Sequence, residues 1–479
     1  MSVSAEPPWV DVVVVGAGVA GLTAARAVLL ARPSARVVVI DGSPQVGGAL
    51  RRANVAGHLV DVGAESMLAR RLEAVDLVTA LGYSQDLVAP AITGASLWSR
   101  GRVVPLPKAQ VMGVPTDPEA FGDVLDSAEL ARCREIQAWP DGAVVQDVSV
   151  GMYVGIRLGR AVVDRLVDPI LGGVYAGNAD RLSLQATMPA LWDVAQRDAP
   201  LSDLIRPVTQ PARPVFAGLV GGVGRLPDLL AQDVTARGGD IRVRSMAREL
   251  RRDEHGWAVT VGPTTQETVV RSRSVVVAIP AANAARLLHD VAPQAASELR
   301  TIETASSAVI SLAVRRRSAA PLSGSGLLVP AVDARPIKAA TFSSNKWAWT
   351  DALDPELFFL RGSIGRAGEV SPLQRDDHTL IAEAVRGIEA AVGGARLEVV
   401  DAHVQRWGGG LPQYAVGHVG LVERVRRSVG AQPGLAVAGA TYDGVGIPAV
   451  VSCAHTAADI VVSHLDSTQR APFGAEETA

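Results

Sequence analysis

Cysteine, lysine and aromatic residues are scarce in this chain of 479 residues, and its charges nearly cancel. The two cysteines, Cys133 and Cys453, are far apart and form no CxxC or Cys/His spacing. This predicts no metal site and no disulfide framework, and it favours a reducing compartment. The 46 basic and 49 acidic residues give a formal net charge of −3, which provides no basic field for nucleic acid.

Long apolar runs are also missing outside glycine-rich turns, so no membrane span of about 18 residues is expected. The N-terminal segment MSVSAEPPWVD lacks the basic region of a signal peptide. No serine or cysteine has a spacing with His58, His403, His418 or His455 that would predict a catalytic triad. The composition, with 48% hydrophobic residues and 47 glycines, is that of a large soluble enzyme with two or three cores.

A dinucleotide-binding fingerprint stands near the N-terminus. The sequence VVVVGAGVAG, residues 12 to 21, predicts a buried strand, a glycine turn and the start of a helix. Gly16 permits the tight turn, Gly18 lets the backbone approach a pyrophosphate, and Gly21 lets the helix pack close to the strand. Asp41 follows a second apolar strand, where its carboxylate can accept hydrogen bonds from a ribose. The alternative is a purely structural glycine turn.

Two further glycine segments favour a flavin over a nicotinamide cofactor. Gly47 and Gly48 follow Asp41, where large flavoproteins pass the ribityl chain and the isoalloxazine close to the backbone. Near the C-terminus, GLAVAGATYDGVGIPAVV predicts a strand, a turn containing Gly439 and Gly446, and a second helix N-terminus facing the cofactor. The alternative is one more strand–turn–helix unit of an α/β fold.

Because the two cofactor segments lie at opposite ends of the chain, the predicted fold is α/β and α+β. A discontinuous Rossmann-like FAD-binding domain would carry an inserted substrate domain and a helical domain. The helical part follows from apolar residues at helical spacing between Val154 and Ile170. The predicted pieces are residues 1–85, 216–300 and 407–465 for the FAD-binding domain, 86–215 for the substrate and helical insertion, 301–406 for the sheet-bearing substrate domain, and 466–479 for a disordered tail.

Taken together, the chain resembles the flavin-dependent protoporphyrinogen and coproporphyrinogen oxidases of haem synthesis, within the amine oxidase-like flavoprotein superfamily. The resemblance covers nearly the whole chain. Beyond the two glycine segments, it rests on GAESMLAR at 63–70, PLPKAQVMGVPT at 105–116, ILGGVYAGNADRLSL at 170–184, TFSSNKW at 341–347 and RWGGGLPQYAVGH at 406–418.

The resemblance implies non-covalent FAD, a porphyrinogen substrate and molecular oxygen, with six electrons removed in three flavin cycles and hydrogen peroxide formed. No protein nucleophile is required, because the cofactor carries the chemistry and the protein positions it. Gly63, Ala64 and Gly173 are the small residues expected beside flavin and macrocycle, although Gly173 could instead be a helix C-cap. The expected cofactor contacts are Gly16, Ala17, Gly18, Val19, Ala20, Gly21, Asp41, Gly42, Gly47, Gly48, Gly63, Ala64, Ala247, Gly439, Val445, Gly446 and Ile447.

Coproporphyrinogen III is favoured over protoporphyrinogen IX as substrate. Eukaryotic protoporphyrinogen oxidases place a propionate-binding arginine after the PLP-like segment, whereas this chain has Gln110, Val111 and Met112 there. The rest of the segment resembles oxidases of Gram-positive bacteria that act on the coproporphyrin branch. By the same resemblance Arg71, with Arg70 as its alternative, is expected to pair with a propionate. A solvated arginine at a helix start is the competing interpretation.

Two other functions compete with this prediction. A flavin amine oxidase commonly has a lysine beside flavin N5, but residues 304–315 contain none, and lysine occurs only at Lys108, Lys338 and Lys346. A non-catalytic binding protein on the same scaffold would not need intact glycines at both cofactor segments. Cys453 is expected in the core, and Trp347 and Trp349 either in the core or at the cavity. A cytoplasmic location is expected, while a downstream chelatase and peripheral contact with the inner face of the membrane are left open.

Overall fold

Two large mixed sheets and a layer of helices make up the computed structural model, which describes residues 9–140, 142–204 and 214–470. The predicted absence of a signal peptide concerns residues 1–8, which lie outside the described ranges. The strands are β1 (Val10–Val15), β2 (Val37–Ile40), β3 (Arg52–Val55), β4 (His58–Asp61), β5 (Met67–Leu68), β6 (Leu87–Val88), β7 (Ser96–Ser99), β8 (Arg102–Pro105), β9 (Gln110–Val111), β10 (Val114–Pro115), β11 (Phe216–Leu219), β12 (Asp240–Arg242), β13 (Ala247–Arg252), β14 (Trp257–Val261), β15 (Thr268–Val277), β16 (Thr304–Arg315), β17 (Gly326–Leu328), β18 (Ile337–Thr341), β19 (Leu357–Ile364), β20 (Val399–Pro412) and β21 (Leu435–Val437).

The helices alternate with these strands in the first and last thirds of the chain and follow one another in the middle. They are α1 (Val19–Ala31), α2 (Glu73–Ala80), α3 (Ser127–Arg134), α4 (Val150–Leu158), α5 (Arg160–Val162), α6 (Asp168–Tyr175), α7 (Leu184–Thr187), α8 (Pro189–Gln196), α9 (Leu226–Ala236), α10 (Ala281–Leu287), α11 (Pro293–Arg300), α12 (Ser343–Lys346), α13 (Ala348–Asp351), α14 (Asp377–Ala391), α15 (His418–Gly430) and α16 (Ile447–Arg470).

The first sheet has the strand order β12-β2-β1-β15-β14-β13, with β21 also paired to β15. Strand β1 is almost entirely valine, whose branched side chain suits a strand buried on both faces. Strands β1, β15 and β21 run parallel, with Val15 opposite Val277 and Val277 opposite Val437. Their carboxyl ends therefore meet at one edge of the sheet, which is where ligands bind in open α/β sheets. The expected fold class is confirmed.

The second sheet has the order β20-β16-β19-β18-β17-β7-β8, and α14 covers one of its faces. Strands β7 and β8 come from the insertion after residue 85 and join strands from the segment after residue 300. Strand β20 passes through residues 406 and 407, so the predicted boundary there falls inside a strand. The strand continues because residues up to Pro412 still pair with β16.

The helical layer contains the apolar residues that predicted it. Val154, Leu158 and Leu166 are buried in its core. The helix is interrupted, however, since Gly159 adopts a φ of +99° between α4 and α5, and a π-helical turn, Val163–Val167, leads into α6. Gly172 and Gly173 lie within α6, and Ala176 in the left-handed region closes it. The C-cap interpretation of Gly173 is therefore wrong.

The last helix, α16, is longer than the sequence suggested. Residues 466–470 of the predicted disordered tail are helical, while residues 471–479 lie outside the described part of the chain. Burial of Leu465 and a hydrogen bond from Thr468 Oγ1 to the carbonyl of His464 support this last turn. Within the described residues α16 is the one helix long and apolar enough to span a membrane, but half of its apolar window is buried in the protein. It packs on α1 and the first sheet, as a core helix does.

Candidate active site

The N-terminal glycine turn has the geometry that its sequence predicts. Gly16 has a φ of +111°, and a Cβ there would lie 2.3 Å from the carbonyl oxygen of Ala278. A Cβ on Gly21 would lie 1.8 Å from the carbonyl oxygen of Gly16, so the first turn of α1 packs directly on the glycine turn. Gly18 is the N-cap of α1 and offers no side chain, which leaves the N–H groups at the start of the helix available to an anion.

Asp41 lies beside this turn at the end of β2. Its carboxylate accepts hydrogen bonds from the backbone N–H groups of Ala17 and Ser43, both at 2.7 Å. A carboxylate has about four acceptor sites, so capacity remains for ribose hydroxyls. The carbonyl of Asp41 accepts from Ser245 N–H, which brings the entry of β13 and Ala247 to the same edge.

A second glycine pair lies against the first turn. Gly47 N–H donates to the carbonyl of Ala17 at 2.9 Å, and a Cβ on Gly48 would lie 3.3 Å from Gly18 Cα. Both glycines have positive φ, +123° and +58°. The two turns thus contact each other through backbone alone, and their glycines leave a surface free of side chains, here called the cofactor groove.

The C-terminal turn follows β21 at the same sheet edge. Gly439 and Gly444 have φ values of +130° and +143°, and α16 begins at Ile447, with Pro448 as its second residue. Val445 and Gly446 are half-buried between them. The expected cofactor contacts from residues 16–48 and 439–447 therefore converge on one edge of the first sheet.

Gly63, the glycine expected beside the flavin, is held by the second sheet. Arg361 Nη1 on β19 donates to the carbonyl of Gly63 at 2.6 Å, and Trp407 Nε1 on β20 donates to the carbonyl of Val62 at 3.0 Å. A Cβ on Gly63 would lie 2.4 Å from the carbonyl oxygen of Ala49, directly after the second glycine pair. Ala64 is exposed. This loop therefore connects the cofactor groove to the substrate sheet.

A buried cluster of charges lies behind this loop, and it was not predicted from the sequence. Glu65 is enclosed, with Arg361 Nη2 at 3.2 Å and Lys346 Nζ at 3.7 Å from its Oε2. Although burial opposes its ionisation, Arg361 and Lys346 hold the pKa of Glu65 below its usual value. Burial lowers the pKa of Lys346. The sequence signal that could have indicated this cluster is the presence of charged residues within otherwise apolar segments.

Asp61 adjoins the same cluster. It accepts hydrogen bonds from the N–H groups of Val223 at 2.9 Å and Gly224 at 2.8 Å, yet burial raises its pKa to about 7. Asp61 and Glu65 border a cavity of about 10 Å³, large enough for roughly one water molecule. The hydroxyl of Ser311 faces this region without a hydrogen-bond partner among the described residues, which a water would supply.

Gly173 lies on the substrate side, exposed in the last turn of α6. A Cβ on it would lie 3.5 Å from Leu328 of β17. Leu328 and Val445 both pack against the helical core that contains α6. Tyr414 strengthens this connection, since its hydroxyl donates to the carbonyl of Ala440 and its ring lies 5.7 Å from that of Tyr175. Gly173 is therefore close to both the second sheet and the C-terminal cofactor turn.

The two candidate propionate partners are at the start of α2. Arg71 Nη2 lies 2.5 Å from Glu73 Oε1, and its side chain is 45% exposed. Burial raises the pKa of Asp443, while Arg426 and, to a smaller extent, Arg71 lower it. Arg71 therefore lies near the C-terminal cofactor turn. Arg70 is exposed and forms no hydrogen bond or ion pair with any residue in the described ranges.

The remaining singled-out residues are mostly structural. Cys453 is buried, and burial raises its pKa to about 11. His418 stacks on Tyr414 at 3.9 Å, and burial lowers its pKa to about 4. Trp347 is a core residue, whereas Trp349 borders the small cavity near Asp61.

Comparison with known proteins decides the family. The pattern of the flavin-containing amine oxidoreductases matches residues 19–462. The chain belongs to that family. Within it, the predicted resemblance to porphyrinogen oxidases is confirmed. The coproporphyrinogen III oxidase of Mycobacterium tuberculosis is 35% identical over 461 residues, which cover 95% of this chain and 98% of that protein.

Two further relatives support the same placement. The protoporphyrinogen oxidase of Bos taurus is 27% identical, over 91% of this chain and 95% of that protein. A crystal structure described as a putative protoporphyrinogen oxidase from Exiguobacterium superposes with a TM-score of 0.83 at 29% identity, covering 95% of this chain and 99% of that one.

FAD is the cofactor of this family member, and the site fits it. Gly18 and Gly48 contribute no side chain to the surface that they share, and the α1 N-terminus and the carboxylate of Asp41 lie beside it. These groups match a pyrophosphate and a ribose respectively. The flavin end would then lie toward Gly63 and the C-terminal turn.

Proposed function

We propose that this protein is an oxygen-dependent coproporphyrinogen III oxidase that forms coproporphyrin III and hydrogen peroxide in haem biosynthesis. The observation that carries the proposal is 35% identity to the mycobacterial coproporphyrinogen III oxidase along almost the full length of both chains. The site supports it. The residues expected beside the flavin and the macrocycle, Gly63 and Ala64 in the loop and Gly173 in α6, are glycine and alanine instead of bulky residues, as a flat macrocycle would need.

The roles of the residues follow from the site. Bound FAD supplies the hydride acceptor, and reoxidation by O2 yields one H2O2 for each two electrons, so three cycles turn one porphyrinogen and three O2 into one porphyrin and three H2O2. Gly63 and Ala64 would present backbone and a methyl group to the flavin, and Gly173 would present backbone to the macrocycle. Arg361 positions the loop by binding the carbonyl of Gly63. The proposed reaction requires no side chain as a nucleophile.

The substrate carboxylates would be recognised by cations. Arg71, with Arg70 as the alternative, is proposed to pair with a propionate, which would require Arg71 to exchange its present contact with Glu73 for the substrate. Except for the boundary at residue 406, which falls inside β20, the domain boundaries named above remain proposals of the same standing. So do a cytoplasmic location, peripheral contact with the inner face of the membrane, and transfer of the product to a chelatase.

Side-by-side turnover tests the proposal. The FAD-loaded protein is assayed with coproporphyrinogen III and with protoporphyrinogen IX, while porphyrin fluorescence and H2O2 are both recorded. We expect a higher kcat/KM for coproporphyrinogen and three H2O2 per porphyrin. A clearly higher kcat/KM for protoporphyrinogen, the activity named for the bovine relative, would assign the protein to that reaction instead.

A further inference from the structure

Lys338 is a buried lysine without a partner in the second sheet. It is only 8% exposed, and neither a hydrogen bond nor an ion pair connects its Nζ with any residue in the described ranges. Nζ nevertheless keeps some exposure to solvent, because it is not one of the fully buried polar atoms without a hydrogen-bond partner. Burial lowers its pKa to about 8, so the side chain is still charged at neutral pH. A buried, unpaired ammonium group is costly for a fold, and such groups commonly serve a ligand.

The register of β18 determines which way Lys338 points. Ile337 pairs with Ile364 and Ala339 with Ser363, so Lys338 is the extra residue of a β-bulge. Ile337 faces α14, because a Cβ on Gly387 would lie 2.9 Å from its Cγ1. Neighbouring side chains of a strand point to opposite faces, and bulges often redirect a side chain beside an active site. This alternation is interrupted at the bulge, because Ile337 and Ala340, three residues apart, both face α14. The charge of Arg366 acts both on Lys338 and on Asp168 of α6, so Lys338 lies on the α6 side of the sheet, away from α14.

That face is the one that carries the site. Ala339 pairs with Leu328, whose side chain is the nearest neighbour of a Cβ built on Gly173. Thr341, two residues further along β18, pairs with Arg361, which binds the carbonyl of Gly63. Lys338 thus shares a sheet face with the two contacts that define the flavin loop and the macrocycle helix.

The charges around Lys338 leave this region electropositive. Arg366 donates to the carbonyls of Val329 at 3.1 Å and Ile337 at 3.4 Å, and the nearest carboxylate to it, Glu369, is 4.0 Å away and half-exposed. Asp168 at the start of α6 accepts a hydrogen bond from Ala179 N–H and interacts with Arg366. Besides burial, the charge with the larger effect on Lys338 is that of Arg366, and the carboxylate that opposes it, Glu369, is exposed.

We propose that Lys338 binds a propionate carboxylate of the porphyrin substrate, one of those that coproporphyrinogen has and protoporphyrinogen lacks. The proposal rests on the proposed porphyrinogen oxidase function. A carboxylate would give the ammonium group the charge-assisted hydrogen bonds that the protein itself does not provide. Selection of the substrate with four carboxylates would follow, because its competitor would leave Lys338 buried and unpaired.

Equilibrium binding of the two porphyrins tests this without turnover. Coproporphyrin III and protoporphyrin IX are titrated into FAD-loaded wild type and Lys338→Met, and Kd is read from porphyrin fluorescence. We expect Lys338→Met to raise the Kd of coproporphyrin about ten- to a hundredfold, as for the loss of a charge-assisted hydrogen bond. The factor by which it raises the Kd of protoporphyrin should be at least about ten times smaller. Lys338→Arg should retain most of the affinity. Arg300→Met, which removes an exposed cation at the end of α11, should change neither Kd.

The outcomes are distinguishable. Methionine matches the lysine stem and removes a charge that burial disfavours, so Lys338→Met should keep its FAD. Lys338→Gln is measured in the same way as a second variant. An unchanged coproporphyrin Kd in either FAD-loaded variant, or equal weakening for both porphyrins, overturns the inference while leaving the enzyme assignment intact. Failure of wild type to bind or turn over any porphyrin would overturn the assignment itself.

Discussion

Replacing Glu65 by glutamine tests whether the buried charges behind the flavin loop stabilise this protein. The substitution keeps the shape of the side chain but removes the negative charge between Arg361 at 3.2 Å and Lys346 at 3.7 Å. At an effective dielectric constant of about 20, each contact is worth roughly 5 kcal/mol before desolvation is subtracted. Removing one member of such a buried group leaves uncompensated charge, so we expect Glu65→Gln to lower the free energy of unfolding by about 3–5 kcal/mol.

The control is Glu73→Gln. Glu73 also pairs with an arginine, but that pair is exposed, and breaking it should cost less than about 1 kcal/mol. Urea unfolding of FAD-loaded wild type and both variants, followed by circular dichroism at pH 7, measures the two losses. The reasoning is refuted if Glu65→Gln loses no more stability than Glu73→Gln.

The pH dependence of the loss has a defined sign. The folded pKa of Glu65 lies below its usual 4.5, so its contribution is present above pH 4.5 and disappears as the pH falls through the lower folded value. The deficit of Glu65→Gln should therefore shrink in acid. It should also shrink as the pH rises into the alkaline range, because burial lowers the pKa of Lys346 and the loss of its carboxylate partner in the variant lowers it further. A deficit that grows between pH 7 and pH 9 would contradict this account.

Three further predictions concern the cofactor groove, Asp61 and the candidate propionate partner. Gly18→Val should yield folded protein without FAD, because its side chain would enter the groove beside Gly48; stoichiometric flavin absorbance in the purified variant would refute the assignment of the groove. Burial raises the folded pKa of Asp61 from 3.8 to about 7, so the free energy of unfolding of wild type should fall as the pH rises through that interval. Relative to wild type, the free energy of unfolding of Asp61→Asn should rise by up to about 4 kcal/mol between pH 4 and pH 7. Parallel urea-unfolding profiles of the two proteins would count against this prediction. If Arg71 binds a propionate, Arg71→Ala should lower kcat/KM for coproporphyrinogen about ten- to a hundredfold while the FAD content stays full. Arg70→Ala serves as the comparison. A wild-type kcat/KM for Arg71→Ala would show that Arg71 is a surface residue that does not bind the substrate.

Local features of the cofactor groove were predictable from sequence, because each depends on residues near one another in the chain. The positive φ of Gly16, the close packing of Gly21 and the position of Asp41 after β2 all follow from the strand–turn–helix pattern. The convergence of the two glycine segments was also predictable, since parallel strands bring their carboxyl ends to one edge.

Features that depend on distant partners were not predictable. Asp61 and Glu65 meet Lys346 and Arg361 only because β19 and α12 fold beside the loop after β4. The boundary at residue 406 was misplaced for a related reason. The glycines after Trp407 look like a loop in isolation, yet pairing with β16 keeps them within β20. Similarly, packing in the helical layer keeps Gly173 inside α6 instead of at its C-cap.

The loop at Gly63 explains how the two sheets act together. Its backbone faces the cofactor groove, but its carbonyls are bound by Arg361 and Trp407, which belong to the second sheet. The same sheet carries Leu328 against Gly173, so one rigid layer sets both the flavin loop and the wall of the substrate site. Glu65 keeps Arg361 oriented from behind. Disturbing these contacts should therefore alter the distance between macrocycle and flavin before it alters FAD retention, because the residues proposed to hold the pyrophosphate and ribose lie at the edge of the first sheet.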